Sequence, residues 1–148
     1  MPSLRTYHDG KNIYSVDMMI AYLNVYGHPV VKIPLTELTS QLNKKVWGDW
    51  SPMTVVAKMD VKKYAENAER IRKADMSYPI IVTGAHVIVD GYHRAAAALL
   101  KGQTHIDAHV FNAALMNKFI LDRDLNFVKV HQKMTAADIL ELWAKRFC

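Results

Sequence analysis

The fold is decided by residues 79–111, whose sequence is PIIVTGAHVIVDGYHRAAAALLKGQTHIDAHVF. The apolar run at 79–82 predicts a buried strand, and 86–89 predicts a strand that returns beside it. Gly84 and Ala85 between them predict a two-residue hairpin turn of type II′, because glycine readily takes the positive φ that this turn requires at its first position.

The second half of this stretch predicts a helix followed by a further strand. Residues 92–101 contain four consecutive alanines, which favour a helix, and Gly102 is typical of the position just past a helix end. At 105–111, apolar and polar residues alternate, which indicates a strand with one buried face.

Working outward, the flanking segments are predicted to be mostly helical. Residues 15–26 predict a helix with Ser15 as its N-cap and Gly27 at its end. Thr135 and Asp138 resemble a capping box at the start of the last helix. The other predicted elements are a strand at 30–35 and helices at 36–45, at 61–73 after Asp60, at 112–121 and at 135–146.

Together these elements predict an α/β (α+β) fold, with a small mixed sheet flanked by helices and extra C-terminal helices. We expect a single domain over 1–148, with a core at about 30–111 and helical extensions at 1–29 and 112–148. Trp47 and Trp50 lie in a loop with glycine and proline. They either fill the edge of the core or form a stacking surface beside a site.

The composition is that of a folded globular protein, since 51% of the 148 residues are apolar and 22% are charged. The formal net charge of +5 suits a partner that carries phosphate, but a solvated basic face fits it equally well. Cys148 is the only cysteine, so it forms no internal disulfide or cysteine-based zinc site. No apolar run has the length of a signal peptide or a membrane span, so we expect a cytoplasmic protein with no membrane partner.

The candidate site is the strand-to-helix turn Asp90-Gly91-Tyr92-His93-Arg94. The first N–H groups of a helix have no partner within the helix, and they favour an anion; Gly91 leaves room for one. Arg94 suits phosphate oxygens, His93 can move a proton, and Asp90 can bind Mg²⁺ or act as a base. The alternative is a purely structural junction with Asp90 as its cap.

The order of these parts resembles the ParB/sulfiredoxin superfamily. The resemblance is carried by 79–82, by 87–97, by Gly102 with the strand after it, and by 33–38 as the opening strand and turn. It covers about 30–111.

In that superfamily the turn binds the phosphates of ATP, ADP or CTP. The resemblance therefore implies that Gly91, Tyr92, His93 and Arg94 contact a nucleotide with its Mg²⁺. It also implies that Asp90 belongs to the catalytic centre. The chemistry of the residues themselves adds a catalytic role for His93 and a magnesium ion at Asp90.

Among the branches, the turn is most similar to the Asp-Gly-x-His-Arg of the ParB-like free serine kinases. Sulfiredoxins have a reactive cysteine where Tyr92 stands, so their repair activity is not expected, although their His-Arg pair matches His93 and Arg94. The kinase branch also uses a glutamate shortly after the opening strand. Glu37 and Gln41 both lie near that position, and Gln41 could not serve as a base.

Two classes of function follow. The first is a nucleotide-dependent phosphotransferase or nucleotide hydrolase that acts at this turn, with a small molecule or a protein as the phosphate acceptor. The alternative is a ParB-like nucleic-acid-binding or nuclease module, or a non-catalytic partner-binding domain. The amphipathic last helix either packs on its own chain or forms the surface of a homodimer.

Overall fold

A computed structural model describes residues 4–148, which form an α+β fold with two sheets flanked by helices. The strands are β1 (Thr6–His8), β2 (Ile13–Ser15), β3 (Val31–Pro34), β4 (Ile80–Thr83), β5 (Ile88–Asp90), β6 (His105–Phe111) and β7 (Ile120–Asp122). The α-helices are α1 (Val16–Tyr26), α2 (Thr39–Leu42), α3 (Pro52–Ala57), α4 (Ala65–Arg72), α5 (Tyr92–Leu100), α6 (Ala113–Asn117) and α7 (Ala136–Phe147). Short 3₁₀ helices lie at Leu35–Leu38 and Lys62–Tyr64, and a π-helical turn lies at Lys129–Lys133.

The chain divides into two compact units. The central unit is Pro29–Phe111, and the terminal unit combines the chain up to His28 with Asn112–Cys148. In the described part of the chain, no helix combines the length and the apolar character needed to cross a membrane.

The central unit is built on a mixed four-stranded sheet in the order β3-β6-β4-β5. β6 pairs with β3 antiparallel and with β4 parallel, while β5 returns antiparallel beside β4. The mixed sheet predicted from the sequence is therefore confirmed. The strand predicted at 105–111 has the same bounds as β6, and the helix predicted at 92–101 is α5.

α5 lies between the sheet and a second layer of helices. Ala95 and Ala98 are fully buried in the cluster that covers the sheet, whereas Ala96 and Ala97 are buried in the cluster formed with α3 and α4. Small side chains on both sides let this helix pack closely against two layers. The alanine run therefore serves packing as well as helix propensity.

The hairpin between β4 and β5 differs from the predicted type II′ turn. Gly84 does not take a positive φ; the left-handed residue is His86, at φ 62°. The N–H of His86 donates to the carbonyl of Thr83 at 2.9 Å, and the N–H of Thr83 donates to Val87 at 2.9 Å. This is the three-residue loop in which a turn is followed by one left-handed residue, so the two-residue prediction is wrong.

The outer edge of β5 is covered by the side chain of Gln41. Its amide donates from Nε2 to the carbonyl of His86 at 2.8 Å and accepts at Oε1 from the N–H of Ile88 at 2.7 Å. A neighbouring parallel strand would make the same two bonds on either side of Val87. Gln41 therefore satisfies backbone groups that an open sheet edge would leave unpaired.

We expect Gln41→Ala to lower the free energy of unfolding by about 1–3 kcal/mol, because it leaves two backbone groups without their partners. Amide exchange at Ile88 is expected to become faster in the same variant, as measured by hydrogen exchange with NMR. The control is Gln103→Ala, whose side chain is exposed. Unchanged exchange at Ile88 would contradict the role given to Gln41.

Two helices predicted in the central unit are present, but each begins as a 3₁₀ turn and its α-helical part is shorter than predicted. The helix predicted at 36–45 is a 3₁₀ turn that continues into α2, with Leu38 and Leu42 buried as expected. The helix predicted at 61–73 begins as a 3₁₀ turn and becomes α4. Asp60 is not its N-cap, because extended Val61 separates it from the helix; the carboxylate instead lies 3.7 Å from Arg72.

The terminal unit contains the antiparallel sheet β1-β2-β7, so the segments predicted as helical extensions also contribute three strands. α1 matches its prediction, and Ser15 caps it by accepting from the N–H of Met18 at 3.0 Å. The helix predicted at 112–121 is wrong beyond Asn117. Ile120 there pairs with Tyr14 of β2, a partner distant in sequence.

The last helix, α7, begins with the predicted capping box, in which Thr135 and Asp138 bond each other's backbone. It packs on its own unit: Phe147 stacks on Phe119 at 5.6 Å, and Trp143 stacks on Tyr26 of α1 with 6.4 Å between ring centroids. Arg146 also donates to the carbonyl of Ile120 at 2.5 Å. A homodimer through the remaining surface of α7 stays a prediction.

Candidate functional site

The predicted strand-to-helix turn is present. β5 ends at Asp90, Gly91 is the N-cap of α5 in the left-handed region at φ 116°, and the helix begins at Tyr92. Gly91 gives the helix no side-chain capping bond. Because the first N–H groups of a helix lack acceptors within it, the start of α5 presents donors that no N-cap side chain covers.

The space beside Gly91 is filled by protein. A Cβ atom on Gly91 would lie 2.4 Å from Cγ2 of Ile80 and 3.3 Å from Nη2 of Arg94. The sequence suggests that glycine leaves room for a ligand, but the structure shows that the room on this side accommodates Ile80. Gly91 is therefore required by its positive φ and by the close approach of β4.

Arg94 is turned toward the protein. Its Nη2 donates to Oδ2 of Asp90 at 2.8 Å, and its Nη1 donates to the carbonyls of Tyr78 and Pro79 at 3.0 and 2.7 Å. The side chains of Arg94 and Asp90 are 18% and 20% exposed, so the pair is largely shielded from water. Arg94 thus fastens the chain before β4 to the turn, and a phosphate contact by Arg94 stays a prediction.

Asp90 is the partner of Arg94, and the N-cap position of α5 is taken by Gly91. Within residues 4–148 no group of three or more His, Cys, Asp or Glu side chains is arranged to hold a metal ion. A magnesium ion at Asp90 would share its carboxylate with Arg94 and would need nucleotide phosphate and water oxygens as further ligands. Magnesium binding stays a prediction.

His93 is held by two residues from other elements. The indole ring of Trp47 stacks on the imidazole, with 4.5 Å between ring centroids and 15° between the planes. Nε2 of His93 lies 3.0 Å from Oδ1 of Asn67 on α4. Burial, with the charge of Arg70 as a second cause, lowers the pKa of His93 below 6.5, while Asp90 opposes the shift.

Tyr92 packs its side chain against the hydrophobic cluster that covers the sheet. Burial raises the pKa of its phenol above 10.0, so the hydroxyl stays protonated at neutral pH. The contact of Tyr92 with a nucleotide stays a prediction.

A groove of about 620 Å³ adjoins His93. It is lined by Glu66, Glu69, Arg70, Lys73 and His93. All but the last come from α4 or its C-terminal end, and they are exposed. The groove joins the start of α5 to a face of α4 that carries both signs of charge.

Both loop tryptophans pack against the cluster of α3 and α4, as expected if they fill the edge of the core. A stacking surface for a ligand stays a prediction. Trp50 packs with Tyr64 in the cluster of α3 and α4, with ring centroids 5.2 Å apart. Trp47 packs against the same cluster and in addition stacks on His93 at the candidate site. The sequence does not predict Asn67 as a site residue, because it belongs to no motif. The only indication in the sequence is that Asn67 lies three residues before Arg70 and so shares a face of α4 with it.

Glu37 and Gln41 both contact the β4–β5 hairpin. Oε2 of Glu37 lies 2.5 Å from Nδ1 of His86, and the Gln41 amide is bonded to the backbone of β5 and its turn. Gln41 therefore has a structural role. Whether Glu37 acts on a substrate stays a prediction.

Comparison of the chain with family models, curated proteins and solved structures gives no match. The resemblance to the ParB/sulfiredoxin superfamily stays a prediction carried by the residues quoted for it.

Proposed function

We propose that the start of α5 binds a phosphate group of a nucleotide of the ATP or ADP type, with CTP as a further candidate. The observation that carries the proposal is the glycine N-cap. Because the N-cap residue has no side chain, it cannot accept from the N–H groups of Tyr92 and His93, and we infer that these groups donate to a ligand. The positive end of the helix dipole adds to the attraction for an anion.

The groove contains two cationic side chains, Arg70 and Lys73, that an anionic ligand can contact. Arg70 pairs with Glu66 at 3.4 Å, and Lys73 pairs with Glu69 at 3.0 Å, along the exposed face of α4. Ion pairs between exposed side chains contribute only about 0–1 kcal/mol. A phosphate group can therefore compete with the two glutamates for Arg70 and Lys73 at low energetic cost.

We further propose that the domain is a phosphotransferase or a nucleotide hydrolase. The hydroxyl of an acceptor, or water, would attack the terminal phosphorus, a base would take its proton, and the shortened nucleotide would leave. His93 is suited to take that proton, because its lowered pKa keeps the ring neutral at pH 7. Asp90 is the second candidate base, and Mg²⁺ would supply charge neutralisation when bound.

Calorimetric titration tests the binding step. We expect the protein to bind ATP, ADP or CTP saturably, more tightly with Mg²⁺, and Arg70→Ala to weaken the affinity severalfold, because it removes a cation that lines the groove. Arg72→Ala is the matched control, because Arg72 is an exposed arginine of the same helix outside the groove lining and is expected to leave the affinity unchanged. Absence of binding by the unaltered protein with all three nucleotides would contradict the proposal.

The main alternative is binding of nucleic acid, which the net charge of +5 also allows. The dependence of the affinity on salt concentration distinguishes nucleic-acid binding from nucleotide binding. Binding that rests on several phosphate contacts falls steeply as salt rises, because counterions are released. Binding of one nucleotide at a helix terminus should fall less steeply and should depend on Mg²⁺.

A further inference from the structure

The contacts of the His93 side chain indicate which of its two ring nitrogens carries the proton. The amide oxygen of Asn67 lies 3.0 Å from Nε2 of His93. An amide oxygen can only accept a hydrogen bond, so this contact is a hydrogen bond when the neutral His93 ring carries its proton on Nε2. Nδ1 then keeps its lone pair.

Trp47 fixes the plane of the same ring. With 15° between the planes and 4.5 Å between the centroids, the indole covers one face of the imidazole. This stacking restricts rotation of the His93 side chain, so the bond to Asn67 is maintained in one orientation. Asn67 comes from α4 and Trp47 from the loop before α3, and the two contacts therefore constrain the ring from different elements.

The charged groups around His93 have both signs. Arg70 on α4 disfavours a second positive charge, and Asp90 at the end of β5 favours it. The groove beside the ring adds Glu66, Glu69 and Lys73, which are exposed to solvent. Burial of the ring adds to the effect of Arg70, so the neutral form is favoured overall.

We propose that Asn67 and Trp47 are positioning residues that hold His93 as a neutral imidazole protonated on Nε2, which makes Nδ1 the proton-accepting atom of the site. The role of that atom in catalysis rests on the proposed function. The tautomer and its dependence on Asn67 and Trp47 do not, because both are properties of the protein without nucleotide.

Nitrogen NMR of the full chain labelled with ¹⁵N-histidine tests this directly. At pH 7.5 we expect His93 to give one protonated nitrogen, Nε2, and one unprotonated nitrogen, Nδ1. The exposed His8, whose ring contacts Phe127 and forms no side-chain hydrogen bond within residues 4–148, is an internal reference in the same spectrum. The proposal would be overturned if His93 of the unaltered protein were protonated on Nδ1 or populated both tautomers equally.

Variants separate positioning from a general loss of structure. Asn67→Leu removes the acceptor and should convert His93 to a mixture of tautomers, and Trp47→Leu should do so in part. Asn67→Asp keeps an acceptor of the same shape, so it should preserve the Nε2 proton while its negative charge raises the pKa of His93. If Asn67→Leu does not fold, the Asn67→Asp titration decides, and an unchanged pKa there would contradict the contact.

The pH dependence of stability gives a second test. Because the pKa of His93 is lower in the folded protein than its ordinary value of 6.5, the unfolded chain binds the proton more readily. The stabilisation from neutral His93 is therefore complete above pH 6.5 and is lost as the pH falls from there through the lower, folded-state pKa.

We expect the urea midpoint of the native protein to fall between pH 7.5 and pH 5 by more than that of His93→Phe. Phenylalanine keeps a ring for Trp47 to stack on but cannot titrate. Equal pH dependence of the two proteins would contradict the buried, neutral state of His93. A positive tautomer result without nucleotide binding would sustain the positioning roles and remove the proposed function.

Discussion

Gly91→Ala is expected to lower the free energy of unfolding by about 2–6 kcal/mol, because two costs add together. Alanine at φ 116° is strained, and its Cβ would lie 2.4 Å from Cγ2 of Ile80. The Ile80 side chain must then move within a packed core. Chemical denaturation with urea measures the loss.

Gly102→Ala is the matched control for this prediction. Gly102 has a positive φ of 71°, but an added Cβ there meets nothing within 4 Å. Its cost should be limited to backbone strain of about 1–2 kcal/mol. If Gly91→Ala and Gly102→Ala lower the free energy of unfolding by the same amount, the Ile80 side chain can move aside without an energetic penalty. Close packing would then not explain why residue 91 is glycine.

Arg94→Ala is expected to destabilise the protein by about 2–4 kcal/mol, because it removes the charge-assisted hydrogen bond to the largely buried carboxylate of Asp90. The carbonyls of Tyr78 and Pro79 lose their donor in the same variant. A double-mutant cycle with Asp90→Asn should show coupling between the two sites, measured again by urea denaturation.

The control for Arg94 is Lys32→Ala. Lys32 pairs with Asp107 at 3.0 Å, but the two side chains are 76% and 45% exposed, so its loss should cost about 0–1 kcal/mol. An effect of Arg94→Ala as small as that of Lys32→Ala would show that the Asp90–Arg94 pair does not fasten the turn. The same structural role makes Arg94→Ala a poor test of phosphate contact, since lost binding could follow from a displaced turn.

The part of the central unit from α5 to β6 can be predicted from the sequence because its signals are local. The alanine run of α5, the glycine after it and the alternating residues of β6 all act through neighbours within a few positions. The strand-to-helix turn at Asp90 and Gly91 follows from the same signals, and the structure confirms it.

The terminal unit is harder to predict because its strands depend on distant partners. β7 pairs with β2, more than a hundred residues earlier in the chain. A three-residue strand has too few positions to show a period of two, so the sequence of 112–121 predicts one helix. The apolar residues at its end in fact complete a sheet.

Side-chain directions at the candidate site cannot be predicted either. An arginine four residues after an aspartate suits a phosphate ligand and an internal ion pair equally well, and only packing decides between them. His86, rather than Gly84, takes the left-handed position in the hairpin. The contact of Trp47 with His93 joins two segments that no local pattern connects.

The central claim is that the start of α5 binds nucleotide phosphate, and amide chemical-shift mapping tests it most directly. In ¹H–¹⁵N spectra of the labelled chain titrated with ATP and Mg²⁺, the largest shifts are expected at the N–H groups of Tyr92, His93 and Arg94. They should saturate with the affinity measured by calorimetry. Saturable shifts confined to other parts of the chain, with these three amides unmoved, would contradict the claim.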